Sequence, residues 1–238
     1  MTPFGIPWTT WEPIYRSILA DFGFDRSADE AARDRLVGLL DGTGLRPSEL
    51  PDCHGQTVAV AGAADCLHED IELAASADRV IAASIASEVL LDAGIAIDLH
   101  VTDLDKDHAI VTQLHRRSVP IVTHAHGDNI SSLEKIVPGL DASTIFPTTQ
   151  AEPGDHIFNP GGFTDGDRAA FLADALGATA LTFPGWDITD TSVSALKRHK
   201  LAWAERLLYW LEQRRGDTFP LLDGRREELS LPGPISDQ

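Results

Sequence analysis

Over the first fifty residues the apolar positions recur at helical spacing. Trp11, Ile14, Tyr15, Ile18 and Leu19 share one face, which predicts a helix with a single buried side. Ser27-Ala28-Asp29-Glu30 has the form of a capping box and reads as the opening of a second helix carrying Leu36, Val37, Leu39 and Leu40. The turn-rich Asp41-Gly42-Thr43-Gly44 ends it. Residues 1–50 are therefore expected to form a helical N-terminal appendage.

From about residue 56 the pattern changes to short apolar runs alternating with helical segments. The runs 57–61, 79–83, 98–102, 120–123, 143–146 and 178–183 read as strands. Helices are expected over 69–76, 87–93, 106–117 and about 192–215, the last with Leu201, Ala204, Leu207, Leu208 and Leu211 at helical spacing. Such alternation builds an α/β fold: a mostly parallel, Rossmann-like sheet with helices on both faces. The α/β catalytic domain is placed at residues 51–215, and the polar, Pro- and Gly-containing stretch 216–238 reads as an irregular tail.

With 238 residues and 43% hydrophobic content the chain can bury a sizeable core. No run of about 18 apolar residues occurs, so no membrane partner is expected. Met1-Thr2-Pro3-Phe4-Gly5 has no basic segment leading into an apolar stretch, which predicts no export signal and a cytoplasmic protein. The two cysteines, Cys53 and Cys66, have no metal-ligand spacing. A formal charge of −18 argues against nucleic acid as a partner. Of 19 basic residues only Lys106, Lys135, Lys197 and Lys200 are lysines, and this arginine bias beside a large acid excess suggests a high-salt cytoplasm. The sequence leaves a homo-oligomer open.

In an open parallel sheet, ligands bind beyond the carboxyl ends of the strands. Each polar cluster of this chain begins where a strand is expected to end, so the clusters should converge on one edge. Asp103 and Asp105 flank a single apolar residue, and an extended i, i+2 pair points both carboxylates the same way. Two close carboxylates repel unless a cation lies between them, and oxygen ligands of this kind suit Mg²⁺. The competing reading makes Asp105 a helix cap.

His124, His126 and Asp128 match the first half of the zinc motif His-x-His-x-Asp-His of the metallo-β-lactamases, with Asn129 where the last His would stand. A zinc hydrolase, a structural pair of histidines and polar contacts to substrate are the three readings of that run. The segment Gly161-Gly162-Phe163-Thr164-Asp165-Gly166-Asp167-Arg168 is expected to open a helix at Asp167 or Arg168. Free N–H groups there suit an anion, and Arg168 adds a bidentate contact. A turn with an Asp cap is the alternative. Gly62 ends the first strand, but no dinucleotide or P-loop fingerprint surrounds it. Lys197 and Lys200 lie one turn apart and either reach phosphates or form a solvated face.

The runs Val101-Thr102-Asp103-Leu104-Asp105, His124-Ala125-His126-Gly127-Asp128-Asn129 and Gly162-Phe163-Thr164-Asp165-Gly166-Asp167-Arg168 together resemble the archaeal 6-hydroxymethyl-7,8-dihydropterin pyrophosphokinases. Lys197-x-x-Lys200-Leu201-x-Trp203-Ala204 is similar too, and the resemblance spans about residues 56–215. It implies transfer of diphosphate from ATP to the hydroxymethyl group of a reduced pterin, with AMP leaving, in tetrahydromethanopterin or folate synthesis. It also implies a fold related to the thiamine pyrophosphokinase catalytic domain. Under that reading Asp103 and Asp105 hold Mg²⁺, and Arg168, Lys197 and Lys200 offset phosphate charge. His124, His126, Asp128 and Asn129 order the substrate or nucleotide. Asp165 and Asp167 take a second metal or the pterin edge, and Gly62, Gly162 and Thr164 belong to the binding loops. The chain departs from the family pattern at Gly62-Ala63-Ala64-Asp65, at Ala83-Ser84-Ile85, where a carboxylate is expected, and at Lys106, where a glycine is. A pterin- or nucleotide-binding relative without catalysis is the alternative that those changes motivate.

Overall fold

The computed structural model describes residues 4–106 and 108–231. Parts of three expected segments, the N-terminal 1–3, residue 107 of the helix expected over 106–117, and 232–238 of the tail, lie outside them. Two helices, α1 (Trp8–Phe22) and α2 (Arg26–Leu40), precede six strands: β1 (Thr57–Ala61), β2 (Arg79–Ala83), β3 (Leu99–Thr102), β4 (Ile121–Ala125), β5 (Ile145–Thr149) and β6 (Ala180–Thr182). The remaining helices are α3 (Ile71–Ala75), α4 (Ala86–Asp92), α5 (His108–Arg116), α6 (Ile130–Ile136), α7 (Asp165–Ala175) and α8 (Ala195–Arg215).

The sheet runs β5-β4-β3-β2-β1-β6, and every neighbouring pair is parallel. Because side chains alternate along a strand, each strand feeds two apolar layers. Val58 and Val60 pack with residues of α1, α7 and α8. Ala59 and Ala61 turn to the opposite layer, with residues of α2 to α6. The N-terminal helices lie on the sheet: Trp11, Ile14, Tyr15 and Ile18 are each at most 1% exposed. Burying each of these side chains stabilises by about 2 kcal/mol.

Several local expectations shift. The second helix starts at Arg26, because Asp25 is the cap: its carboxylate accepts from both the N–H and the hydroxyl of Ser27, at 2.9 and 2.7 Å. Ser27 is thereby a donor, and Glu30, the other half of the expected box, accepts from Arg26 Nε at 3.1 Å, while Asp29 is buried. The fifth strand begins at Ile145, since Ala142–Thr144 forms a 3₁₀ turn capped by Asp141. The helix expected over 69–76 shortens to α3, and a 3₁₀ turn, Asp65–His68, precedes it. Helix α6 was not legible: it has seven residues, two of them serine, too few for a helical period to emerge.

Two strand histidines are buried, His100 on β3 and His124 on β4, at 1% and 2% exposure. Burial pushes His100 down to about 4 and His124 well below its ordinary value. The unfolded chain takes up protons below about pH 6.5 that these rings refuse when folded. The contribution of these two rings is therefore fully present above that pH and is lost as pH drops toward 4, by about 3 kcal/mol for His100 alone. His100→Asn, which keeps a polar partner for Ser87 Oγ (2.8 Å from His100 Nδ1), is expected to flatten the fall in melting temperature between pH 7 and pH 5. An unchanged slope in thermal melts would show that His100 does not carry it.

Candidate active site

At the carboxyl edge of the sheet the strand-end loops enclose a cavity of about 520 Å³. The chain steps outward from β1 to β5 and then returns to β6 on the other side of β1, so the order reverses beside β1. That is where an open α/β sheet offers a crevice. Gly62 lies at this point. A Cβ there would sit 2.6 Å from Gly185 O and 2.9 Å from Trp186 Cδ1, so only glycine lets the β1 and β6 loops close together. The Trp186 indole, fixed by donation to Val60 O at 2.8 Å, forms part of the wall.

Asp103 and Asp105 both reach the cavity, though not in extended geometry. The strand ends at Thr102, whose hydroxyl accepts from Leu104 N at 3.0 Å, and buried Leu104 adopts a left-handed backbone (φ 62°). Asp103 Oδ1 then accepts from Asp105 N at 3.1 Å. A turn, not a strand, brings the two carboxylates together. His126 Nε2 lies 3.3 Å from Asp103 Oδ2. Asn129 holds this corner from behind: its amide donates to Asp103 O and His124 O, both at 2.7 Å, and its oxygen accepts from His126 N at 3.0 Å. Asn129 is buried and lines no part of the cavity.

Helix α7 opens at Asp165, two or three residues earlier than expected, because Thr164 is its cap. Asp167 closes that cap, accepting from Phe163 N at 2.6 Å, Thr164 N at 2.8 Å and the Thr164 hydroxyl. Both Asp167 oxygens are engaged away from the cavity. Gly162 is also outside it; its left-handed backbone (φ 90°) lies so close to Arg168 that a Cβ would meet Arg168 Cα at 2.5 Å. Thr164, Asp165 and Arg168 do line the cavity, as do His126, Asp128, Lys197 and Lys200. His124 lies beneath the floor, its Nδ1 3.1 Å from Thr148 Oγ1. The zinc half-motif is thus not gathered about a point: His124 is buried, His126 faces Asp103 and Asp128 is exposed.

The electrostatics centre on three carboxylates. Burial works to raise Asp103, but hydrogen bonds from His126 and from Asp105 hold it below the ordinary carboxylate range. Partial burial and the charge of Asp103 push Asp105 up to about 6. Burial, then the charge of Asp103, raises Asp165 to about 7, against the pull of Arg168 at 3.2 Å. Three mutually repelling hard oxygen donors in one cavity fit a divalent cation such as Mg²⁺. Among the described residues no three His, Cys, Asp or Glu side chains form a ready cage. Asp103 and Asp105 could hold such an ion only with waters or ligand oxygens completing its shell.

Among the further residues lining the cavity, to which the sequence reading gave no role in the site, are Lys106, Gln150, Asp29 and Phe24. Lys106 Nζ is 3.9 Å from Asp105 Oδ2. Its signal was the break in the Asp-Leu-Asp-Gly pattern. Gln150 directly follows β5, so the strand-end rule alone could have marked it. It accepts from Arg168 Nη2 at 3.2 Å and donates to Asp29 Oδ2 at 2.8 Å. Asp29 and Phe24 come from the N-terminal region, which nothing in the sequence tied to the site.

Comparison with known proteins fits this geometry. A model of the family described as 6-hydroxymethylpterin diphosphokinase MptE-like matches residues 45–192. Three relatives are each named 6-hydroxymethyl-7,8-dihydropterin pyrophosphokinase. The one from Methanothermobacter thermautotrophicus is 36% identical over 227 residues, covering 88% of this chain and 95% of its own length. The one from Pyrococcus furiosus is 36% identical over 221 residues, covering 86% and 94%. The one from Methanocaldococcus jannaschii is 34% identical over 188 residues, covering 74% and 78%.

Proposed function

Because this chain belongs to the MptE-like 6-hydroxymethylpterin diphosphokinase family, we propose that it transfers diphosphate from ATP to the hydroxymethyl group of 6-hydroxymethyl-7,8-dihydropterin and releases AMP. The observation that carries this reading is the meeting of Asp103, Asp105 and Asp165 with Arg168, Lys106 and Lys197 in one cavity at the reversal of strand order. Acids for a metal ion beside bases for phosphate are what phosphoryl transfer needs, since its catalysis is mostly positioning and charge neutralisation.

The pterin hydroxyl attacks the β-phosphorus, the bond to the α-phosphate oxygen breaks, and AMP leaves with that oxygen. Asp103 and Asp105 would hold Mg²⁺, which when bound neutralises phosphate charge. Arg168, anchored through Asp165 and Gln150, presents a fixed fork to the transferred group. Lys106, Lys197 and Lys200 line the same wall and offset the remaining charge. Trp186, Phe24 and Phe163 give the cavity flat apolar surfaces for the ring systems. Incubation with ATP, Mg²⁺ and the reduced pterin should yield AMP and the pterin diphosphate. Intact ATP, or ligand binding without AMP, would overturn the reading.

No helix among the described residues is long and apolar enough to cross a membrane, and we read the enzyme as cytoplasmic. Its charge of −18 with only four lysines further leads us to propose a saline cytoplasm. Thermal stability is then expected to rise from dilute buffer into molar KCl, as screening relieves carboxylate repulsion. Equal melting temperatures at both extremes would remove that reading.

A further inference from the structure

His124 is engaged at one nitrogen only. Its Nδ1 meets Thr148 Oγ1 at 3.1 Å, and the Thr148 hydroxyl in turn donates to Thr123 O at 3.3 Å. With its one proton given to that carbonyl, Thr148 can only accept, so His124 carries its proton on Nδ1 and leaves a lone pair on Nε2. That Nε2 is buried and has no partner among the described residues. One other buried atom nearby is unpartnered in the opposite sense: the Nε–H of Arg168. Both Arg168 terminal nitrogens are engaged, Nη1 with Asp165 and Nη2 with Gln150.

The topology brings the two together. Helix α7, which carries Arg168, packs on β1, β2 and β3. Gln150, which receives the far end of the guanidinium, follows β5. Strand β4 lies between β3 and β5, so the arginine must cross it. His124 projects from β4 toward the same layer as Val122, the layer that holds α7. The positive charge of Arg168 is close enough to help keep the His124 ring neutral.

We propose that His124 is a positioning residue for Arg168: its Nε2 lone pair receives the Nε–H of the arginine across one water and so fixes the third side of the guanidinium. Asp165, Gln150 and His124 then hold the fork toward the cavity with no rotational freedom left. The catalytic value of that fork rests on the proposed diphosphate transfer, but the contact itself does not.

Nitrogen NMR of the ligand-free protein labelled at histidine and arginine tests the contact without turnover. His124 is expected neutral, protonated at Nδ1, with an Nε2 shift typical of a hydrogen-bonded acceptor. A proton on Nε2 would overturn the assignment whether or not the chain transfers diphosphate. In activity, His124→Phe keeps ring volume and removes the acceptor, and should lower kcat about 30-fold with the KM for pterin little changed. His124→Gln, which places an amide oxygen near the position of Nε2, should recover to within about fivefold of wild type. In an Arg168→Lys background, which lacks the Nε–H fork, His124→Phe should cost no more than about twofold further. Full additivity of the two changes, or equal losses in Phe and Gln variants, would show a packing role instead.

Discussion

Asp103→Asn is expected to lower diphosphate transfer by at least about 100-fold while leaving the fold intact. The substitution keeps the shape of the side chain, and an amide oxygen can still accept from Asp105 N, so the turn at Leu104 survives. What is lost is the one carboxylate of the cluster held ionised well below its neighbours, against its own burial, by hydrogen bonds from His126 and from the side chain and N–H of Asp105. Asp105→Asn should give a loss of similar size with an added sign. Asp105 sits at about 6, raised by partial burial and the charge of Asp103, so folding it ionised is unfavourable. A raised carboxylate weakens the metal-free protein as pH climbs through the window from its ordinary value to about 6. Metal-free Asp105→Asn should therefore melt no lower than wild type at pH 8, while the rise in melting temperature on adding Mg²⁺ disappears. Turnover near wild type in both variants at limiting Mg²⁺, or an undiminished Mg²⁺ effect on melting, would end the metal assignment.

The layout of the sheet was legible because its strands are buried on both faces and so read as short apolar runs; β1 and β2 coincide with their expected limits. Ends that depend on a single side chain were not. Whether Asp25 or Ser27 caps α2, and whether Thr164 or Asp167 caps α7, turns on which side chain accepts: each hydroxyl donates to the neighbouring carboxylate, and two nearby cap-forming residues leave that choice open in the sequence. In the site, the cluster rule found the residues on the strand-end loops. It did not separate those facing the ligand from those behind it. Asn129 and Asp167 lie in the same motifs as His126 and Asp165, yet their hydrogen-bonding groups serve the backbone. Contributions from distant sequence were illegible for a different reason. Asp29 meets Gly127 and Gln150 across 98 and 121 residues, and no local period reports such contacts.

That Asp29 junction leads to the second large effect. Asp29 Oδ2 accepts from the Tyr15 hydroxyl and from Gln150 Nε2, each at 2.8 Å, while Oδ1 accepts from Gly127 N at 2.8 Å. Three donors converge on one buried carboxylate, so Asp29→Ala leaves three groups without an acceptor and should destabilise by about 3 kcal/mol or more. Asp29→Asn is the sharper probe. Its single oxygen can stay with Gly127 N–H only if its NH₂ takes the place of Oδ2. Tyr15 tolerates that exchange, because a hydroxyl can accept as well as donate. Gln150 does not: its own NH₂ would face another, so its amide must flip. The flipped amide turns Nε2 toward Arg168 Nη2, which now meets a donor where it had an acceptor at 3.2 Å. Activity should fall about tenfold or more through a loosened Arg168, with only a small change in melting temperature. Gln150→Glu in the same protein supplies oxygens to both sides and should restore most of the activity. In the wild-type background the same Gln150→Glu sets two carboxylates face to face and should lower stability instead. If Asp29→Asn is as active as wild type, or if Gln150→Glu fails to rescue it while the fold is intact, the path from α2 through Gln150 does not set the position of Arg168.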